Sequence, residues 1–186
     1  WFVSRSDALS SALNNDFYHF YQNRQSKQMD LRFDKPTLQL MCFTLSSLQL
    51  TGGVLSEENQ EILRQYLNTD LEDDLTKRGV FLGLPGSGNY AMFRAVIYHY
   101  ATLNMGIDCS SDIENWVNLH LAHTNKYGFW GQTNSMQYLH FQNGYHQYEI
   151  FEALGVDTAP WNIAAASTAK LCDDLGHFAP YPGGGG

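Results

Sequence analysis

"GFWGQTN", residues 128–134, places a glycine before two aromatic residues and follows them with a polar, glycine-containing turn. The same signature stands at "GVF" (79–81) and "GHF" (176–178), spaced by 49 and then 48 residues, with the continuations "LGLPGSG" and "APYPGGGG". A second marker keeps step: "MGID" at 105–108 and "LGVD" at 154–157 are 49 residues apart. "LTGG" at 50–53 falls where an earlier copy belongs, if a few residues are inserted after it. Two independent markers on one period identify a repeat protein, and a period of this length means an array, propeller or solenoid.

The first copy looks like something else. Gly83-Leu84-Pro85-Gly86-Ser87-Gly88 carries the glycines of a phosphate-cradling loop, but Asn89 and Tyr90 stand where lysine and a small hydroxyl residue are required. Without that charge and that Mg²⁺ ligand the stretch predicts no ATP or GTP site. Its glycines are read instead as turn residues, supplying positive φ and close backbone approach.

Each repeat reads as two helices. "SEENQEILRQYLN" (56–68) sets Ile62, Leu63, Tyr66 and Leu67 on one face behind the cap Ser56. "SDIENWVNLHLAHT" (111–124) runs Ile113, Trp116, Val117, His120 and Leu121 along a helical stripe, with Ser111 and Glu114 as a capping box. A third such helix is expected over 159–174, opened by Thr158 and Pro160. The helices preceding these, 36–50, 90–105 and 144–154, are apolar or aromatic around most of their circumference. Such helices are buried on one side and line a cavity on the other. The expected fold is therefore all-α, with amphipathic outer helices alternating with aromatic inner ones.

Bulk properties narrow the function classes. With 186 residues, 44% of them hydrophobic, the chain can bury a sizeable core. A net charge of −8, with basic residues scattered, argues against nucleic acid. No apolar run approaches the ~20 residues of a membrane helix, and a cytoplasmic location is expected. Cys42, Cys109 and Cys172 are too few and too far apart for a disulfide framework or a cysteine zinc site, and read as small buried apolar residues.

The unit of inner helix, LG-x-D, outer helix and glycine-aromatic turn resembles the α/α toroid of terpenoid cyclases and protein prenyltransferase β subunits. Gly155-Val156-Asp157, "WVNLHL" followed by "GFWG" (128–131), and "GVFLGLPG" (79–86) carry the likeness, over about residues 30–186. It implies one α/α-toroid-like domain over 1–186, with repeats about 33–86, 87–135 and 136–186. A closed ring of that kind needs more helix pairs than 186 residues at this period supply. Further residues or another subunit are expected to complete it, because an end repeat needs its apolar face covered.

The catalytic signatures of the resembled families are not matched. "DLEDD" (70–74) is nearest to the cyclase acid motif, but has Glu72 at the middle position and reads as a solvated acidic stretch paired with Lys77 and Arg78. Asp108-Cys109 has the residue types of the prenyltransferase zinc site without its spacing, so no metal and no cofactor are expected. The richest polar and aromatic run is "YLHFQNGYHQYEIFE", 138–152, read as the cavity mouth before the inner helix. His146, Glu149 and His140 are the candidate catalytic residues, because histidines near neutral pKa suit acid–base work and His146 and Glu149 share a helix face. His140 and His146 are also a conceivable metal pair if the turn brings them together. Tyr145, Tyr148, Asn143, Arg94 and Trp130 are the candidate substrate-binding residues. Arg94 lies on the face of Tyr90 and Tyr98, where, if directed inward, it suits a diphosphate or carboxylate; directed outward, it is one more helix charge.

The leading expectation is a toroid binding an apolar, isoprenoid-type small-molecule substrate in an aromatic-lined cavity, where rings stabilise cations. The alternatives are a glycan-active toroid enzyme (hydrolase, lyase or epimerase) and a non-catalytic scaffold or binding subunit.

Overall fold

The computed structural model describes residues 2–27, 30–31, 34–156 and 159–183, the first few of these by backbone alone. Among the described residues it is all-helical: α1 (Phe2–Gln25), α2 (Lys35–Thr51), α3 (Glu57–Leu67), α4 (Leu71–Lys77), α5 (Gly88–Met105), α6 (Ser110–Ala122), α7 (Tyr138–Ala153) and α8 (Ala159–Ala169). No described helix is long and apolar enough to cross a membrane. The chain divides into two compact units, Trp1–Asp70 with Phe93–Ser111, and Leu71–Met92 with Asp112–Gly186.

In the first unit α1 packs against α2. Asp34 caps α2 by accepting the Thr37 N–H at 3.1 Å, and Gly52, at φ 69°, ends it in the left-handed conformation. Ser56 caps α3 as its sequence predicts, and Ile62, Leu63 and Tyr66 are buried. α1 lies outside the repeat pattern, and Asn14 ties it to the loop between α2 and α3. Its side chain donates to Val54 O at 3.0 Å and accepts the Ser56 N–H at 2.7 Å. Burial pushes the Asp34 carboxyl up, but hydrogen bonds from Arg24 and Thr37 outweigh that and hold it below the usual range.

Arg94 has neither of its two expected roles. It is 2% exposed and donates to the carbonyls of Tyr66 and Thr69 at the end of α3, and to the Tyr98 hydroxyl at 2.8 Å. The physical reason lies in the inserted residues. From Gly52 to Gly79 is 27 residues, against 22 from Gly106 to Gly128. The extra length is taken up by two short helices, α3 and α4, and a buried cation is the natural partner for the carbonyls at the end of α3. "DLEDD" contributes to α4, where Asp73 pairs with Lys77 at 2.6 Å and Asp74 with Arg78 at 2.7 Å.

The second unit holds the aromatic core. Trp116 is buried and donates its indole N–H to Ala91 O at 3.0 Å. Its ring lies 3.9 Å from His120 and 5.4 Å from Phe151. Trp130 joins the cluster 5.7 Å from Tyr148 and donates to His120 O at 2.9 Å. Such a ring is worth about 3–5 kcal/mol against alanine. The cluster is packed ring on ring and shows no substrate cavity.

Several helix boundaries depart from the sequence pattern, α5 among them, which starts at Gly88 rather than 90. α6 starts at Ser110, so Ser111 lies inside the helix rather than capping it, and the Asp108 carboxylate accepts the Ser110 N–H at 3.0 Å. α7 starts at Tyr138 rather than 144, so the supposed cavity mouth is helix. α8 ends at Ala169 instead of 174, and Thr158 and Asp157 lie outside the described residues. Cys42 and Cys109 are buried as expected, whereas Cys172 is exposed, in the turn that follows α8.

The glycines of 79–88 are spent on close approach. Gly79, Gly83 and Gly86 take φ 70°, 63° and 74°. Asn143 of α7 reads this turn, accepting the Gly86 N–H at 2.8 Å and donating to Gly83 O at 3.1 Å. A Cβ at Gly88 would fall on the Asn143 carbonyl.

Candidate functional site

Because 138–152 is one helix, its polar residues separate by face. Gln137 caps α7, and its N–H donates to His140 Nδ1 at 3.1 Å; His140 Nε2 donates to Gln132 O at 2.8 Å. Both ring nitrogens of His140 thus hold the helix start and the preceding turn, and the residue is 6% exposed. Asn143 is 5% exposed and occupied with Gly83 and Gly86. Tyr148 is buried, donates to Gly128 O, and has its hydroxyl pushed up by burial. Trp130 is in the core. These four expected site residues hold the second unit together.

His146, Glu149 and Tyr145 lie on the more open face. His146 Nδ1 donates to Glu149 Oε2 at 2.9 Å, one turn along the helix. Asn89, in the first turn of α5, donates its amide to His146 Nε2 at 3.3 Å. The carboxylate fixes the tautomer, leaving the Nε2 lone pair as the imidazole's basic site. The His146 side chain is 15% exposed and that of Glu149 61%. The Tyr145 ring lies 3.9 Å from His146, and Phe141, Tyr138 and Phe178 extend the aromatic surface at centroid separations of 6.0–6.5 Å. The arrangement can accept a proton at Nε2 and present ring faces to an apolar or sugar-like body.

Sequence spacing brings out the His146–Glu149 pair but not Asn89, which sits 57 residues away. Its only signal is the failed nucleotide loop, where an amide replaces lysine. His140 and His146 serve different partners, and no group of three His, Cys, Asp or Glu suited to a metal occurs among the described residues.

One further histidine stands apart. His120 is fully buried; its Nδ1 donates to Trp116 O at 2.7 Å and its Nε2 has no hydrogen-bond partner among the described residues. Burial, above all, lowers its pKa to about 3, against the raising effect of the Trp116 carbonyl. It is a neutral core imidazole. No family model, curated protein or solved structure matches this chain.

Proposed function

We propose that this chain is a helical-repeat protein of the α/α-toroid kind, similar to terpenoid cyclases and prenyltransferase β subunits, and that it binds an apolar, isoprenoid-type substrate beside α7. The observation that supports the site is the Asn89–His146–Glu149 chain of hydrogen bonds next to the exposed ring of Tyr145. In this reading His146 Nε2 takes a proton from the substrate, and Glu149 is a positioning residue that stabilises the imidazolium so formed. The Asn89 amide, on a long bond, yields Nε2 to the substrate. The rings of Tyr145, Phe141 and Tyr138 supply the apolar contact.

A second reading, a glycan-active toroid enzyme, is favoured by the openness of the same place. Glu149 is largely exposed and Tyr145 presents its ring to water, as a sugar-stacking platform does.

Calorimetric titration with farnesyl diphosphate and with cello-oligosaccharides, on the unaltered chain and on His146→Gln, separates the two. Isoprenoid binding weakened tenfold or more by His146→Gln, with an unchanged melting temperature, supports the first reading. Oligosaccharide binding with the same dependence supports the second. Binding unaffected by His146→Gln, or absent for both ligands, overturns the site and leaves the scaffold role.

A further inference from the structure

The second and third glycine-aromatic turns are built alike. In the second, Asn125 N–H donates to Phe129 O at 2.7 Å and Gly128 N–H to Asn125 O at 2.9 Å. The Asn125 side chain accepts the N–H groups of Tyr127 and Phe129 at 2.9 and 3.2 Å. Forty-eight residues on, Asp173 N–H donates to His177 O at 2.8 Å and Gly176 N–H to Asp173 O at 3.0 Å. The Asp173 carboxylate accepts from Leu175 and His177 at 2.9 and 2.8 Å. All four bonds correspond one to one.

Their surroundings are opposite. Trp130 is 2% exposed beneath Tyr148 and Phe151 of α7, the helix that follows its turn. Tyr148 also donates to Gly128 O, and a Cβ on Gly128 would strike Ala164 and Pro160 of α8. Phe178, the counterpart of Trp130, is 54% exposed, and Leu175 is 81% exposed. Among the described residues, a Cβ on Gly176 meets nothing within 4 Å and nothing donates to Gly176 O. Two open grooves of about 440 and 530 Å³ flank Tyr181 beside this turn. An exposed apolar patch of this kind marks an interaction surface.

We propose that the third turn, residues 173–181, is the seat of a further helical hairpin of the same repeat. The covering of the second turn states its chemistry. An inner helix brings a tyrosine hydroxyl to Gly176 O and an aromatic ring onto Phe178, and a small-residue outer helix lies against Gly176. This inference rests on the repeat and is independent of any role for His146.

The test appends a second copy of residues 136–183 directly after Gly183, which keeps the eight-residue step from Trp130 to Tyr138 for Phe178. A second variant appends 136–156 alone, in case the longer one does not fold cooperatively. In the 186-residue chain Phe178→Ala should leave the unfolding midpoint nearly unmoved. In an extended chain, which should sediment as a monomer with a raised midpoint, the same change should lower it by several degrees. Two results would overturn the proposal. One is Phe178→Ala staying silent in both extended chains. The other is a dimer of the 186-residue chain that Phe178→Ala dissociates, which assigns the face to a second copy.

Discussion

Two turns of this molecule, 125–131 and 173–179, have the same backbone and opposite fates. One lies in the aromatic core; the other carries its aromatic residue into solvent. Turn geometry here is therefore local: an Asn or Asp side chain gathers two N–H groups and a glycine with positive φ (78° at Gly128, 83° at Gly176) closes the bend. Burial is not local. It comes from whichever helices follow, which is how one short motif serves both a core and an edge.

The two turns should differ most at their aromatic residues. Trp130→Ala should cost about 3–5 kcal/mol in denaturant unfolding, whereas Phe178→Ala should stay within about 0.5 kcal/mol. Equal costs would mean the exposure of the third turn is misplaced.

Acid should act on the core beside the second turn. His120, in the core beside the second turn, is neutral when folded and titrates near its ordinary value of 6.5 when unfolded. Between its folded pKa of about 3 and 6.5 the unfolded chain binds the extra proton, so stability falls as pH drops. At pH 5 the loss should be about 2 kcal/mol relative to pH 7, at ~1.4 kcal/mol per pH unit below 6.5. The measurement is the unfolding free energy at both pH values for the unaltered chain and for His120→Leu, which should flatten the dependence. An unchanged slope would refute the assignment.

The smallest effect separates the turns themselves. Backbone N–H groups, chiefly that of His177, hold the Asp173 carboxyl below its usual range, so its contribution is present above the ordinary aspartate pKa and lost as pH falls through the depressed one. Asn125 has no such titration. Local exchange at 175–177 should therefore quicken in strong acid before that at 127–129 does. Asp173→Asn should remove this pH dependence while keeping the turn. A variant with the acid response intact would show that Asp173 is not its source.

How far the sequence could be read follows the same division. The glycine turns, the cap at Ser56 and the burial of Trp116 were legible because each is written within a few residues. α1 was not, because it shares no marker with the repeat and is fixed by Asn14 bonding to residues 40–45 positions away. The early start of α7 was hidden by Gly144, which reads as a break. In the structure it admits the Phe129 ring, since a Cβ there would lie 2.6 Å from Phe129 Cδ1. Among site residues, the spacing of His146 and Glu149 was visible and their partner Asn89 was not. Arg94 read as either an inward ligand-binding cation or an outward helix charge because the sequence cannot display the Tyr66 and Thr69 carbonyls at the end of α3 that it serves.

Native-state hydrogen exchange tests directly whether the two matching turns are covered unequally. The N–H of Asn125 and that of Asp173 make the same bond, to Phe129 O and His177 O. At neutral pH the Asn125 amide should exchange only through opening of the core, orders of magnitude more slowly than its intrinsic rate. The Asp173 amide should exchange through local opening, at least a hundredfold faster than that of Asn125. Matching protection at the two amides would show the third turn to be covered within this chain, and would contradict the account.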